Sequence, residues 1–101
     1  MSYELGVAAG KKAVLETEEA TIKMDVDALT PEGKRQWLDG VIDAVEAAGR
    51  QVKGVRVETP TFQALGIKRE SQNSGRYRNV IIVEAMLAAI GSPVEVVIEK
   101  A

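Results

Sequence analysis

One amphipathic helix with a marked start and a marked end constrains the fold of this chain more than any other feature. Thr30 can cap it through its hydroxyl, Pro31 suits the first helical position, and Gly49 suits the left-handed residue that follows a helix. The apolar residues between these signals fall on one face at helical spacing: Trp37, Leu38, Val41, Ile42, Val45 and Ala48. The pattern predicts a helix over about 31–48, with Trp37 in the core.

Strand patterns lie on both sides of this helix. Residues 20–27 alternate between apolar and polar side chains, as in a half-buried strand. Residues 52–58 are rich in valine, with Gly54 as a bulge or a point of close approach. Residues 80–83 are β-branched, and residues 94–99 follow Pro93 with a further valine-rich run. These four segments predict the strands of a sheet.

The first nineteen residues are read as a β-hairpin. Residues 3–7 alternate, residues 9–11 can turn, and residues 13–17 can return as a second strand. A helix interrupted by Gly6 and Gly10 is the alternative, and it is less favoured because glycine lowers helix propensity.

Two shorter helices are also expected. Pro60 opens one over about 60–65 with Gly66 as its stop, and an Ala-, Met- and Leu-rich run predicts another over 84–90. The rival for the second is one continuous helix that starts at the cap residue Asn79 and replaces the strand over 80–83.

These elements predict an α+β fold in a single domain over residues 1–101. The length of 101 residues is close to the commonest domain size, and 46% hydrophobic with 28% charged residues is an ordinary composition for a globular chain. We expect a two-layer sandwich in which the main helix and the shorter helical turns pack on a mixed or antiparallel sheet.

The chain has neither cysteine nor histidine, and these absences remove most catalytic templates. Without them it cannot form disulfides, thiolate metal sites, Ser-His-Asp triads or HExxH zinc sites. We therefore expect a non-enzymatic protein with no cofactor and no metal. A histidine-free enzyme or a binder of a small phosphate-containing ligand stays open as an alternative.

The sequence also bears on location. The first residues lack the basic start and apolar core of a secretory signal, and no apolar run approaches the roughly 20 residues that span a bilayer. The expectation is a cytoplasmic or otherwise intracellular protein without membrane contact, and a virion component made inside a host fits the same features.

The most distinctive segment covers residues 67–79, which we call the basic segment. Residues 71–75 are polar or glycine, as in the flexible tip of a hairpin, and cations lie on both sides of them. Charged and hydrogen-bonding side chains of these kinds contact anionic partners. The candidate binding residues are Lys68, Arg69, Gln72, Asn73, Ser74, Arg76, Tyr77 and Arg78.

Charge is distributed unevenly along the chain. Residues 1–49 hold ten acidic and five basic side chains, whereas residues 50–79 hold seven basic and two acidic ones. The expected function is therefore a binding or assembly module whose basic segment contacts an anionic partner, either nucleic acid or an acidic protein surface. A homo-oligomer is expected as well, because the acidic stretch of one copy could face the basic segment of another. Its acids are Glu16, Glu18, Glu19, Asp25 and Asp27. The corresponding alternative is a self-assembling ring, filament or virion protein.

Overall fold

Three helices pack on a six-stranded mixed sheet in the part of the chain that the computed structural model describes, which is residues 2–24, 30–86 and 91–101. The helices are α1 (Ser2–Ala13), α2 (Pro31–Ala47) and α3 (Thr59–Ala64). The strands are β1 (Ala20–Lys23), β2 (Val52–Val57), β3 (Arg69–Ser71), β4 (Ser74–Tyr77), β5 (Val80–Glu84) and β6 (Val94–Ile98). The predicted α+β architecture is confirmed.

The strands lie in the order β1-β6-β2-β5-β4-β3. Among the described strands, only β2 and β5 pair in parallel, and the connection between them contains α3 and the strands β3 and β4. The other pairs are antiparallel, and the register of β2 on β6 shifts between Val52 and Gly54, where a bulge had been predicted.

The hydrophobic core lies between α2 and one face of the sheet. The apolar face of α2 is inaccessible to solvent at Leu38, Val41, Ile42 and Val45. It packs with Trp37, with Phe62 and Leu65 at α3, and with the inward-facing residues of the central strands: Val55, Val57, Val80, Ile82, Val94, Val96 and Ile98. Burying Leu- or Val-sized side chains contributes about 1.5–3 kcal/mol each, so this layer dominates the stability of the fold.

The ends of α2 follow the sequence signals. The Thr30 hydroxyl accepts a hydrogen bond from the backbone N–H of Gly33 at 3.0 Å. Gly49 has a φ of +75°, the left-handed conformation that ends a helix at little cost for glycine. Ala48 is the one residue of the predicted apolar face that is exposed, because it already belongs to the C-terminal cap.

The predicted N-terminal β-hairpin is wrong, since residues 2–13 form helix α1. Its glycines lower helix propensity but let two helices approach closely. A Cβ on Gly6 would overlap the backbone of Trp37, and a Cβ on Gly40 would overlap the carbonyl oxygen of Tyr3. A Cβ on Gly10 would lie 2.8 Å from that of Ala44. The helix–helix contact therefore requires the residues that argued against a helix.

The remaining elements follow their predictions with shifted limits. The first strand ends at Lys23, and residues 25–27 of its predicted range lie outside the described residues. Residues 80–84 form β5, so the rival helix beginning at Asn79 is wrong. The helix predicted over 84–90 is not present at 84–86, and residues 87–90 lie outside the described part of the chain.

Arg50 links its own segment, which follows α2, to two other segments of the chain. Only 9% of its surface is exposed, and its guanidinium donates hydrogen bonds to the backbone carbonyls of Val14, Glu16, Glu18 and Glu99. The contacts to Glu16 and Glu99 are 2.6 Å long. Since a guanidinium offers five N–H donors in a fixed plane, it can hold the α1–β1 loop and the C-terminus together.

Gly40→Ala is expected to destabilise the protein by about 1–3 kcal/mol, because the added methyl group forces α1 away from α2. In a helix without that contact the same change would stabilise by about 1 kcal/mol. Urea denaturation followed by Trp37 fluorescence gives the sign. Gly54→Ala is the control, since its Cβ would make only an ordinary contact, 3.8 Å from the carbonyl oxygen of Ile81. Comparable losses in both variants would contradict the proposed packing.

Arg50→Met is expected to cost at least about 2 kcal/mol, since it keeps the aliphatic stem and leaves four backbone carbonyls without their donor. The control is Lys53→Met, which removes only an exposed pair with Glu19 and should cost no more than about 1 kcal/mol. Equal losses in the two denaturation curves would show that Arg50 acts only as a surface cation.

Candidate interaction surface

The basic segment folds as the first part of a three-stranded meander. Strands β3 and β4 are joined by a turn at Gln72 and Asn73, and the hydroxyls of Ser71 and Ser74 are hydrogen-bonded across it at 2.6 Å. Gly75, predicted to lie in the tip, is a buried strand residue. The tip is thus two residues long, shorter than the predicted 71–75, and carries the exposed side chains of Gln72 and Asn73.

A second turn joins β4 to β5 at Arg78 and Asn79. Both residues have positive φ, 54° and 65°, as in a type I′ turn. This turn directs Arg78 towards helix α2, where its guanidinium forms ion pairs with Asp39 at 3.3 Å, Asp43 at 2.5 Å and Glu46 at 3.5 Å. Arg78 therefore attaches the meander to the helix layer.

Tyr77 points the same way as Arg78. Its hydroxyl donates a hydrogen bond to Asp39 at 2.7 Å, and burial, followed by that hydrogen bond, raises the pKa of Tyr77. Tyr3 on α1 donates in the same manner to Asp43 at 2.6 Å. The two tyrosines complete a polar network around Arg78 on the outer side of α2.

Arg69 lies at the other end of the meander, near α3. Its guanidinium carbon is 4.4 Å from the centre of the Phe62 ring, and it forms an ion pair with Glu84 at 2.8 Å. The hydrogen bond from Arg69, and then one from Thr59, hold the pKa of Glu84 below its usual value. Arg69 thus anchors β3 over Phe62.

Two cations of the basic segment, Lys68 and Arg76, are more accessible to a binding partner than Arg69 and Arg78. Arg76 pairs with Glu70 at 3.3 Å, and both side chains are more than half exposed. Lys68 is exposed and has no ion pair with any residue of the described chain. The structure thus divides the four predicted cations among three places. Their role in binding stays a prediction, with Lys68 and Arg76 as the members that face solvent.

A second surface was not identified from the sequence. The side chains that alternate with the inward-facing core residues point away from the helices and form what we call the open face. Its centre is apolar, with Ile81, Val83 and Val97 around a shallow groove of about 370 Å³ that also borders Gly54. Ile81 is 48% exposed. Cations surround this centre: Lys23, Lys53, Arg56 and Arg76.

The cations of the open face are held to different degrees. Glu95 is only 4% exposed and lies between Arg56 at 2.7 Å and Lys23 at 3.8 Å. Lys53 pairs with Glu19 at 3.0 Å, and both of these side chains are more than half exposed. Because exposed pairs contribute only about 0–1 kcal/mol, Lys53 and Arg76 can exchange their carboxylate partners readily.

The titratable network around Arg78 is not arranged for proton transfer near neutral pH. Hydrogen bonds from Tyr3 and Arg78 lower the pKa of Asp43, and the same carboxylate raises the pKa of Tyr3. Asp43 is thus fixed as an anion and Tyr3 as a neutral donor, whereas an acid–base catalyst needs a pKa near the working pH. The described residues contain no cluster of carboxylates suited to hold a metal ion.

Comparison with known protein families, with curated proteins and with solved structures found no significant match. None of the helices described above is both long enough and apolar enough to cross a membrane. Geometry and charge are therefore the basis for assigning a function.

Asp43→Asn is expected to destabilise the protein at pH 7 and to have much less effect in strong acid. The folded pKa of Asp43 is lowered, so its ionised form adds stability above its unfolded pKa of about 4, and this is lost as pH falls through the lower folded value. Denaturant titrations of both proteins from pH 7 to about pH 2 measure the difference. Tyr3→Phe should show the same trend, and a pH-independent difference would contradict the network.

Proposed function

We propose that this chain is a non-enzymatic binding module that contacts an acidic macromolecular partner through the open face of its sheet. The observation that carries the proposal is the apolar centre formed by Ile81, Val83 and Val97, which is bordered by cations and over which none of the described helices packs. An antiparallel sheet that meets only water on one face normally alternates to polar side chains there. Apolar residues on such a face are typical of a contact surface.

The charges favour an acidic partner. Lys53 lines the groove of the apolar centre and Arg76 lies beside Ile81, and each has a solvent-exposed carboxylate partner that a carboxylate of another molecule can replace. Arg56 is already committed to the nearly buried Glu95 and adds its aliphatic stem to the surface. The face thus combines apolar area with exchangeable positive charge.

A protein partner fits this face better than a nucleic acid. Sheet surfaces that read single strands stack the bases on aromatic side chains. Here Tyr77 bonds to Asp39 on the helix side, and Phe62 is buried beneath Arg69. An acidic protein surface requires no stacking, only apolar contact and carboxylates.

The test uses a labelled synthetic peptide rich in glutamate and leucine, titrated with the chain kept dilute enough to be monomeric. We expect saturable binding that weakens with added salt and falls at least tenfold in Ile81→Asp and in Arg76→Glu. Leu5→Asp is the matched control, because Leu5 is also 48% exposed but lies on α1. Binding that is absent, or equal in all three variants, would overturn the proposal.

Nucleic acid contact by the basic segment is the second candidate, and it is favoured by Lys68, which is exposed and forms no ion pair with the part of the chain that the structure describes. The same titration with labelled oligothymidine separates the two. If the oligonucleotide binds more tightly than the peptide and loses affinity in Lys68→Ala, the basic segment is the contact surface. If it binds weakly and Lys68→Ala has no effect, the open face is the better assignment.

A further inference from the structure

The open face has a protruding side chain beside a gap of similar size. Val55 and Ile82 are register partners on the parallel strands β2 and β5, so Gly54 and Ile81 stand at the same level on those two strands. A Cβ on Gly54 would meet only the carbonyl oxygen of Ile81, at 3.8 Å. Ile81 itself is 48% exposed. Gap and side chain are therefore immediate neighbours at the centre of the sheet.

We infer that the partner of the open face is a second copy of this chain, bound face to face about a two-fold axis that runs along the strands between β2 and β5. This inference rests on the proposed use of the open face. Such an axis exchanges β2 with β5, so Ile81 of each copy enters the gap over Gly54 of the other. A two-fold contact is self-complementary in this way, and stacked sheets keep their strands nearly aligned.

The charged pairs on the open face are complementary under the same two-fold axis. The axis places β4 of one copy over β6 of the other. Arg76 lies on β4 and is the register partner of Ile81. The Lys53–Glu19 pair borders the groove beside Val97, which lies on β6. The exposed pair of Arg76 with Glu70 then faces the exposed pair of Lys53 with Glu19, and each cation can bind the carboxylate of the other copy.

The size of the open face requires that these charged pairs are part of the interface. A stable interface buries about 800 Å² per partner, which is about one seventh of the 5772 Å² surface of the described chain. Six strands at about 4.8 Å spacing and about five residues in length give a face of roughly 25 by 17 Å. The flat area of such a face is only about half of the requirement, so the charged pairs at its edges must be buried together with the apolar centre.

Sedimentation velocity of the whole chain over a concentration series tests the inference. The expected result is a species of twice the chain mass of 10.9 kDa that dissociates on dilution. Ile81→Asp should give a monomer, and Gly54→Val should weaken association at least tenfold by filling the gap while the monomer stays folded. Leu5→Asp, the equally exposed control on α1, should leave the dimer unchanged.

Two compensating pairs identify the geometry. Gly54→Val combined with Ile81→Ala moves the bulk from β5 to β2 and should recover most of the lost association. Arg76→Glu and Glu19→Arg should each weaken the dimer, and the double variant should restore it. Failure of both rescues would overturn the two-fold arrangement, even if the chain is dimeric.

The remaining outcomes separate this inference from the proposed function. A chain that stays monomeric at millimolar concentration and still binds the acidic peptide through Ile81 overturns the dimer alone. A dimer that is lost in Leu5→Asp but persists in Ile81→Asp overturns the dimer inference, because association would then use α1 in place of the open face. The proposed function falls with it only when peptide binding is also unchanged in Ile81→Asp.

Discussion

The burial of the apolar face of α2 against the valine-rich side of the sheet is the interaction on which the rest of the structure depends. Leu38, Val41 and Ile42 have no solvent exposure, and their partners come from the central strands β2, β5 and β6. Two other sides of α2 also contact neighbouring elements. The side with Gly40 packs closely against α1, and the acidic side of α2 binds the β4–β5 turn through Arg78. The same arrangement gathers the described helices on one side of the sheet, so that none of them covers the other side.

The charges of the basic segment show how a fold divides a cluster that looks uniform in sequence. Alternation along a strand and the handedness of a type I′ turn send neighbouring cations in different directions. Arg69 lies over Phe62, Arg76 lies on the open face, and Arg78 reaches the carboxylates of α2. Two of these arginines act mainly within the molecule, so the sum of charge over a segment overstates the charge that a partner meets.

The candidate site could be predicted from the sequence only in part. Polar turn residues flanked by cations indicated a hairpin at residues 67–79, and all four of its cations were expected to face solvent. In the structure Lys68 and Arg76 do so, whereas Arg69 and Arg78 are directed to partners within the molecule. Ile81 and Val97 were read only as strand residues, because a run of β-branched residues is equally typical of a strand buried on both faces. Gly54 was predicted to be a bulge or a point of close approach, and the register shift beside it agrees with the bulge. The room around Gly54 depends on long-range packing, since a Cβ there would meet only the Ile81 carbonyl oxygen at 3.8 Å.

By itself the sequence determined the local structure: the helix between Thr30 and Gly49, the main strands, the short helix at Pro60 and the hairpin with its cations. These depend on side-chain periodicity, caps and turn residues that act within a few positions. Only the tertiary structure decided the rest. The glycines of α1 disfavour an isolated helix and become favourable once Trp37 and Gly40 pack against them, and which sheet face lacks a cover depends on how elements distant in sequence meet. Local propensity carries no information about these long-range contacts.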